Sequence, residues 1–394
     1  MDHIELPFFA YNHLLPHPDL SISRLLSFTL PPQLDDSLFG INKVDIQDVW
    51  SELLPVPIDI DDLGTLQQLP IPSPAMLDKF RCKLTLAPDR QKIKSIIYSH
   101  LPSTNPASSK PFPLWVFEYW VQVSNLRVHV RTPWNRAESW AANQHMSRFP
   151  ERKRLAHDVH AALDRVSWTG YISGFTDPEP LTKLTRYLSN DWLATIQINQ
   201  QLDLLRWRTF RQFPSTKYEI VNTHFFSKII ELFHKIPSAY TTESPPSAGR
   251  YPWAVGQDLA DSLSKTTVVC GVLNVLDSHW VSIAIDVKKG MISYGDSLGP
   301  DNETKGKVTR ALKWWITTHI KRDFVDVDLP CTRQTDSYSC GVFAVNSIQH
   351  LVFPHENLLQ PSEAITERYR WFLAVLNRHN EVVCPQISCV DMTS

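Results

Sequence analysis

The sequence predicts an α+β fold for the C-terminal half of the chain. Residues 266–276 are a β-branched apolar run, which is typical of a buried strand. Residues 279–297 alternate apolar and polar side chains around a Lys-Lys-Gly turn, which predicts a β-hairpin. Apolar residues then recur at helical spacing in three segments, so we expect helices at 307–320, 340–353 and 361–380.

Further predictions in this half concern another helix, the N-cap of the last helix and a surface loop. Residues 191–205 (DWLATIQINQQLDLL) predict a helix whose apolar side chains are available for burial: Leu193, Ile196, Leu202 and Leu205. Ser362 is the predicted N-cap of the helix 361–380, because a serine side chain accepts hydrogen bonds from the first turn. The polar, proline-containing residues 238–250 predict a surface loop.

The chain divides into three predicted regions. Residues 1–64 hold eleven acidic side chains against Arg24 and Lys43, and a Pro/Ser-rich linker follows at 101–113. Apolar residues at helical spacing in 114–166 predict a small, mainly helical module, and the turn-rich residues 169–180 indicate a boundary. The predicted division is an acidic, proline-rich region, a mainly helical module and a C-terminal domain, at 1–100, 101–170 and 171–394.

Composition narrows the function classes. With 43% hydrophobic residues the chain can bury a core, and a net charge of −2 gives no strong field toward nucleic acid or a membrane. No apolar stretch of transmembrane length occurs, and the N-terminus lacks a secretory pattern. Six scattered cysteines favour a reducing, intracellular location, nuclear or cytoplasmic. Cys384 and Cys389 have no second pair, so neither a metal nor a cofactor is expected.

Cys340 is the candidate nucleophile. It begins an apolar helix, and the dipole of a helix N-terminus lowers the pKa of a thiol. We expect the following Gly341 to leave the approach to the thiol open. Taken alone, the position fits equally a small buried side chain at a helix start, which is the commoner situation for a free cysteine.

Three other residues supply possible partners. His279 begins the first strand of the hairpin, and Asp296 ends the second strand, so the carboxylate can hold one ring nitrogen while the other faces a thiol. Gln334 lies in a polar loop before Cys340, where its amide and the Cys340 N–H could stabilise an oxyanion. Each residue also has an ordinary interpretation, as a strand-end histidine, a turn aspartate and a surface glutamine.

Residues of about 180–380 resemble the catalytic domain of the ubiquitin-like-protein proteases, the SUMO-deconjugating cysteine proteases related to the adenovirus protease. The segments that carry the resemblance are DWLATIQIN, SHWVSIAIDVKKGMISYGDSLG and LPCTRQTDSYSCGVF. The order and spacing of His279, Asp296, Gln334 and Cys340 are similar to the family pattern. The resemblance implies a papain-like domain, with the cysteine on a helix and the histidine on a mixed sheet that helices flank, behind a mainly helical N-terminal region.

The resemblance also implies a role for each residue. Cys340 would be the nucleophile, His279 the general base and then acid, Asp296 its orienting partner and Gln334 an oxyanion donor. Trp192 and Trp280 correspond to the tryptophans that flank a narrow tunnel for a diglycine tail, although Trp192 could instead be a core anchor on its helix. Ser339 departs from the acidic residue usual before the cysteine, and WLAT departs from a more polar family sequence.

The resemblance implies a thiol isopeptidase that cleaves after the C-terminal diglycine of a SUMO-like or other ubiquitin-like modifier. Its partners would be that modifier and its conjugates, without membrane or nucleic acid. Three alternatives stay open: a peptidase of a mobile element with its own substrate, an acetyltransferase using the same triad, and a modifier-binding module without catalysis. The presence of all four site residues argues against the last.

Overall fold

The computed structural model describes the backbone of residues 4–34, 50–87, 90–97, 111–214, 218–235, 268–299, 301–320 and 322–383. The chain forms two compact units. The first contains residues 1–136 and 161–170, and the second contains residues 137–160 and 171–394. The predicted three-part division stays a prediction. The predicted loop at 238–250 and most of the predicted linker at 101–113 lie outside the described residues.

The first unit is mainly helical. Its helices enclose a core built around the aromatic residues Phe80, Tyr119 and Trp120, all essentially inaccessible to solvent. Five α-helices lie within it: α1 Phe8–Leu14, α2 Ile22–Ser27, α3 Leu63–Gln68, α4 Pro74–Leu86 and α5 Trp115–Asn125. Three short antiparallel strands, which the sequence did not predict, form one sheet: β1 Trp50–Ser51, β2 Ser95–Ile97 and β3 Pro111–Pro113.

A π-helical turn, Leu126–Arg131, follows α5 in the first unit. Its two arginines donate to neighbouring backbone carbonyls, Arg127 to Pro31 and Arg131 to Leu26 and Phe28. Two helices come next in the chain, α6 Thr132–Asn143 and α7 Pro150–Leu163. Residues 137–160 of this stretch belong to the second unit.

The second unit is built on a mixed five-stranded sheet. Two short strands outside this sheet, β4 Tyr171–Ile172 and β5 Glu179–Pro180, pair only with each other among the described residues. The five strands are β6 Tyr218–Ile220, β7 Val268–Val275, β8 His279–Asp286, β9 Met291–Gly295 and β10 Val325–Asp328, in the spatial order β10-β9-β8-β7-β6. Strands β7, β8 and β9 are antiparallel neighbours, while each edge strand runs parallel to its neighbour. This confirms the predicted strand, the predicted hairpin and the α+β class.

Helices cover both faces of this sheet. The remaining α-helices that the structure describes in this unit are α8 Thr195–Gln212, α9 Thr223–Lys235, α10 Asn302–Ile320, α11 Cys340–Val352 and α12 Ala364–Val383. On one face, Val281 and Ile283 of β8 join an apolar core with α9 and α10. On the other face, α11 packs against β8, where the buried Ser282 hydroxyl donates to the Ser347 hydroxyl of α11. The alternating strand pattern therefore places α11 directly over β8.

Two predicted helix starts are corrected. Helix α8 begins at Thr195, not at Asp191, because Ala194, the residue before it, has an extended backbone. Ser362 is not the cap of the last helix. A 3₁₀ turn, Pro361–Glu363, precedes α12, and Gln360 is its N-cap, with the Gln360 N–H donating to the Glu363 carboxylate. Among the described residues, no helix has the length and apolar character needed to cross a membrane.

Candidate active site

The hairpin brings the predicted histidine and aspartate together. His279 is the first residue of β8, and Asp296 follows the last residue of β9, the strand paired with it. The His279 Nε2 and the Asp296 Oδ1 are 2.7 Å apart. The backbone N–H of Leu298 also donates to this oxygen at 2.9 Å, which orients the carboxylate. The bond fixes the ring so that Nδ1 is the nitrogen left for another partner.

Cys340 is that partner. It is the first residue of α11, it is only 2% exposed, and its thiol is close enough to the His279 imidazole to raise the pKa of that ring. Burial lowers the pKa of His279, but the hydrogen bonds to Asp296 and Cys340, with the charges on both, outweigh it and raise the pKa to about 9. The imidazole is therefore protonated at neutral pH, and its charge is available to stabilise a thiolate on Cys340.

The N-terminus of α11 leaves the Cys340 N–H without an acceptor inside the helix, although the Val342 N–H already donates to the Ser339 carbonyl at 2.9 Å. Ser339 is the N-cap residue, yet its side chain accepts no bond from the helix. Its hydroxyl instead donates to the Asp336 Oδ2 at 2.8 Å. The first N–H groups of an α-helix have no intrahelical acceptor, so the Cys340 N–H lies beside the thiol as a donor for developing negative charge.

The structure places Gln334 close to the other site residues by fixing both ends of its amide. Its Oε1 accepts from the Ser297 hydroxyl at 2.6 Å, and its Nε2 donates to the Asp336 carbonyl at 2.7 Å. Its backbone N–H donates to the Ser297 carbonyl at 2.9 Å, which ties this loop to the residue after Asp296. The amide group carries a second N–H, so the geometry allows the predicted oxyanion role, which stays a prediction.

Asp336 organises the loop before the thiol and was not among the predicted residues. Its carboxylate accepts from the N–H groups of Tyr338 and Ser339, at 2.9 and 2.8 Å, and from the Ser339 hydroxyl. An aspartate that accepts from the backbone two and three residues ahead forms a local turn. The spacing of Asp336 before two further polar residues was the available signal. Asp336 thus holds the backbone that leads into Cys340.

Both predicted tryptophans lie against this loop or the helix behind it. Trp192 is 46% exposed and precedes α8, so the structure excludes the alternative that it anchors the core from a helix. Its Nε1 donates to the Ser337 carbonyl in the loop before Cys340. Trp280, next to His279, is buried, and its Nε1 donates to the Leu193 carbonyl at 2.8 Å. Trp192 therefore binds the loop before Cys340, and Trp280 binds the residue after Trp192, while their roles as tunnel walls stay a prediction.

The expected purpose of Gly341 is corrected by its surroundings. A Cβ at this position would lie 2.8 Å from Ile198 Cδ1 and 3.3 Å from Trp280 Cδ1. Gly341 is buried, so it does not open the approach to the thiol. The glycine instead lets α11 pack closely on α8 and Trp280. This contact sets the distance between the helix that carries Cys340 and the strand that carries His279.

Two other cysteines that the structure describes, Cys270 and Cys331, lack these surroundings. Burial raises the pKa of Cys331 to about 12, and burial also raises the pKa of Cys270. Both side chains are therefore neutral thiols at physiological pH and are poor nucleophiles. Within the described ranges, no group of three His, Cys, Asp or Glu side chains is arranged to hold a metal ion.

Together these residues provide a thiol, an imidazole and a carboxylate, with a nearby amide whose oxyanion role stays a prediction. Nucleophilic acyl transfer needs these groups within hydrogen-bonding reach of one another. His279 binds Asp296 and interacts with Cys340, and Gln334 binds Ser297, the residue after Asp296. Thiol-based cleavage of an acyl bond is the chemistry that this set can perform.

Comparison with known proteins finds one matching family and several similar solved structures. Residues 191–378 match the model of the Ulp1 protease family, C-terminal catalytic domain, and the match contains all six predicted site residues. No match was found among curated proteins.

Several solved structures are similar at low identity. A Ulp1 protease domain in complex with Smt3, the yeast orthologue of SUMO, is 16% identical, over 57% of this chain and 95% of that one, with a TM-score of 0.43. The Ulp1-like SUMO protease catalytic domain of Chaetomium thermophilum is 16% identical, over 57% and 89%, with a TM-score of 0.42. The Xanthomonas campestris effector XopD, bound to ubiquitin, is 15% identical, over 49% and 92%, with a TM-score of 0.30.

The assignment rests on the family model and agrees with the geometry of the site. The matched region begins at the segment with Trp192 and ends within α12, so it spans the whole catalytic arrangement. It contains the thiol at a helix N-terminus, together with the histidine and aspartate on paired strands. Residues 191–378 are therefore a cysteine peptidase catalytic domain of the Ulp1 protease family.

Proposed function

We propose that this protein is a thiol peptidase and isopeptidase that cleaves after the C-terminal diglycine of a ubiquitin-like modifier of the SUMO type. The observation that carries the proposal is the position of His279. Its ring binds the Asp296 carboxylate through Nε2, at 2.7 Å, and the Cys340 thiol is close enough to raise the pKa of the ring. A histidine held between a carboxylate and a thiol at a helix N-terminus has the properties that thiol hydrolysis requires.

The acylation step uses the charges of this pair. The Cys340 thiolate attacks the carbonyl carbon of the terminal glycine, and the carbonyl electron pair moves onto oxygen. The Gln334 amide and the Cys340 N–H donate to this oxyanion. When the oxyanion collapses, the bond to the leaving amine breaks, and the His279 imidazolium gives that nitrogen its proton. The product is a thioester between Cys340 and the modifier.

Hydrolysis of the thioester returns the enzyme to its starting state. The neutral His279 accepts a proton from a water molecule, whose oxygen attacks the thioester carbonyl. The same donors stabilise the second oxyanion, which collapses to release the Cys340 thiolate and the carboxylic acid of the modifier, and this acid loses its proton to solvent. His279 again carries its proton. Asp296 keeps the ring orientation constant through both steps, because it binds Nε2 throughout.

The proposed substrate-binding site involves the two tryptophans. The half-exposed Trp192 binds the loop before Cys340, and the buried Trp280 binds the carbonyl of Leu193, the residue after Trp192. A tail that passes between large aromatic side chains must be narrow, and glycine is the residue that has no side chain to exclude. The family resemblance of DWLATIQIN and of the His279-Trp280 pair supports the same assignment.

Covalent capture tests the proposal directly. The full-length protein is incubated with a panel of ubiquitin-like modifiers that carry a thiol-reactive group in place of the terminal carboxylate. We expect one or a few modifiers of the SUMO type to form an adduct, located on Cys340 by peptide mass. Cys340→Ala should form no adduct and should show no turnover, because no other described thiol has the same surroundings.

Cys331→Ala is the matched control. It removes a second thiol of the same domain, whose raised pKa keeps it unreactive, so the adduct should persist. An adduct that survives in Cys340→Ala would contradict the assignment of the nucleophile. A folded protein that forms no adduct with any modifier would instead favour the element-specific peptidase, the acetyltransferase or the binding module.

A further inference from the structure

Residues 137–160 precede the region that matches the family model, yet they pack within the same compact unit as the catalytic residues. Helix α6 places Trp140 flat against Tyr369 of α12, with ring centroids 5.1 Å apart. Helix α7 places Arg152, only 8% exposed, where its guanidinium donates to the Ser362 carbonyl and the Thr366 hydroxyl. These contacts attach both helices firmly to α12.

One contact continues from these helices toward the active site. The Trp140 Nε1 donates to the Asn190 side-chain oxygen at 2.9 Å. Asn190 lies two residues before Trp192, in the short segment that connects to α8. In the part of the chain that the structure describes, the Asn190 side chain has Trp140 as its hydrogen-bond partner. The indole of α6 therefore determines where this side chain lies.

A buried arginine holds the same segment from α12. Arg368 is fully buried and donates to the carbonyls of Tyr187, Arg186 and Asp191, at 3.1, 2.7 and 2.8 Å. Burial lowers its pKa to about 10, so the guanidinium stays charged at neutral pH. The backbone on both sides of Asn190 is thus fixed from α12, and the Asn190 side chain is fixed from α6.

The segment in turn contacts the loop that leads to the nucleophile. Trp192 donates to the Ser337 carbonyl, and Ser337 lies inside the turn that Asp336 forms before Cys340. The electrostatic influence of Arg152 and of Arg368 reaches Tyr338 in this turn, where both positive charges oppose the raised pKa of the phenol. Helix α6, outside the matched region, is therefore connected to the segment of Trp192 through the bond between Trp140 and Asn190, and Trp192 connects this segment to the loop before Cys340.

We infer that residues 137–160 form an integral part of the substrate-binding half of this active site, in which Trp140 is a positioning residue that holds the Asn190–Trp192 segment. The functional consequence rests on the proposed function. A segment with one contact removed adopts several positions, and binding of an extended tail must then order it again. The effect falls on substrate binding, because the thiol, imidazole and carboxylate are held by other elements.

Trp140→Phe in the full-length protein is the test, because phenylalanine keeps the stack on Tyr369 and removes the indole N–H. The substrate is the captured modifier fused to a fluorogenic amine. We expect KM to rise roughly three- to tenfold, the range of one net hydrogen bond, with kcat within about twofold. Alkylation of Cys340 by iodoacetamide should be unchanged, because that small reagent does not use the segment.

Trp207→Phe is the matched control. Trp207 lies on α8 twelve residues beyond Thr195, which places it about 18 Å along the helix from the segment. It should leave KM unchanged. Asn190→Ala should reproduce the KM of Trp140→Phe, and the double variant should show no further rise, because both changes break one contact. Unchanged KM in Trp140→Phe, or additive effects in the double variant, would overturn the inference.

A second measurement keeps the inference separate from the proposed function. If iodoacetamide alkylates Cys340 in the wild-type protein but no modifier forms an adduct, the proposed substrate is wrong. The ordering of the segment can still be measured by amide hydrogen exchange. Trp140→Phe should then speed exchange at residues 189–193 several-fold relative to wild type and to Trp207→Phe. Exchange that is equal in all three proteins would overturn the positioning role.

Discussion

The two halves of the catalytic arrangement are held by different means. His279 and Asp296 lie at the ends of paired strands, where the register of β8 and β9 places them. Cys340 and Gln334 are joined by a loop that is ordered by single side chains, Asp336 and Ser297 among them. Strand pairing uses many equivalent backbone bonds, so it tolerates change, whereas the loop depends on a few groups that have no substitute.

The contrast teaches where sequence change is expected to alter catalysis. On the hairpin, only the two side chains that exchange a hydrogen bond should be sensitive. In the loop, residues that never touch a substrate should also be sensitive, because they determine where the thiol and the oxyanion donors lie. Variants in the hairpin and in the loop test this difference in sensitivity.

The largest effect is expected for Asp296→Asn on the hairpin side. An asparagine can keep the geometry but presents an N–H or a neutral oxygen to Nε2, so the imidazole loses both its orientation and the charge that stabilises it. In a related triad this change lowers kcat by about 10⁴, and we expect a loss on the order of 10³ to 10⁴ in kcat here. The measurement is steady-state cleavage of the captured modifier fused to a fluorogenic amine.

Asp286→Asn is the control on the same hairpin. Asp286 ends β8, seven residues beyond His279, and accepts from the Lys289 N–H in the turn. Because its side chain is remote from the thiol, kcat should change less than twofold. Full activity in Asp296→Asn, or an equal loss in Asp286→Asn, would refute the view that only the contacting pair is sensitive on this side.

The next largest effect is expected in the loop. Asp336→Ala removes three hydrogen bonds that order the residues before Cys340, so kcat should fall about 10- to 100-fold without a comparable change in KM. Ser339→Asp should also lower kcat, because a second carboxylate would lie where the Ser339 hydroxyl is now 2.8 Å from the Asp336 Oδ2. Cleavage kinetics and the melting temperature are measured together.

A double variant separates repulsion from a general intolerance of the loop. In Asp336→Asn with Ser339→Asp, the asparagine amide can donate to the new carboxylate, and its oxygen can still accept from the backbone. Activity should therefore recover relative to Ser339→Asp alone. A double variant that is as inactive as the single one, in a protein that melts normally, would show that the carboxylate must stay at 336.

The sequence was sufficient for the hairpin side and insufficient for parts of the loop side. The alternation in 279–297 predicted the strands, and the strands bring His279 to Asp296 without further information. Helix α11 was also predicted at its observed start. The purpose of Gly341 was misjudged, because it depends on a contact with Ile198, which is far away in the chain. Local periodicity carries no signal for such contacts.

Arg368 illustrates the same limit. It occupies a predicted helix, but its sequence surroundings do not indicate that it is fully buried with carbonyls of residues 186–191 as its partners. A buried charge is rare in general, so propensity favours an exposed position for any arginine. Only the packing of α12 against the segment before α8 explains it.

A smaller effect is expected for Gly341→Ala, which changes the packing of α11. The added Cβ would lie 2.8 Å from Ile198 Cδ1 in a closely packed region, so we expect a loss of about 1–3 kcal/mol in the free energy of unfolding. Gly306→Ala is the matched control, since Gly306 lies in α10 with nothing within 4 Å of its added Cβ. Alanine should stabilise that helix by about 0.5–1 kcal/mol. Urea unfolding measures both, and effects of equal sign would contradict the packing role.

The smallest effect at neutral pH concerns the proton on His279, and it links the two halves. Burial lowers the pKa of His279, but the bonds and charges of Asp296 and Cys340 raise it to about 9. Because the charged imidazole must supply the proton for the leaving amine, kcat/KM should be flat below this value and should fall as the pH rises through it.

In Asp296→Asn the alkaline fall should move to lower pH, since one of the partners that raise the pKa is gone. A profile of kcat/KM from pH 6 to 10, with single-turnover rates for the slow variant, measures the alkaline limb in both proteins. An alkaline limb near pH 7 in the wild type would mean that the hairpin and loop together do not hold the proton. An unchanged limb in Asp296→Asn would assign the raised pKa to Cys340 and its helix, and the loop side would then control the hairpin side rather than depend on it.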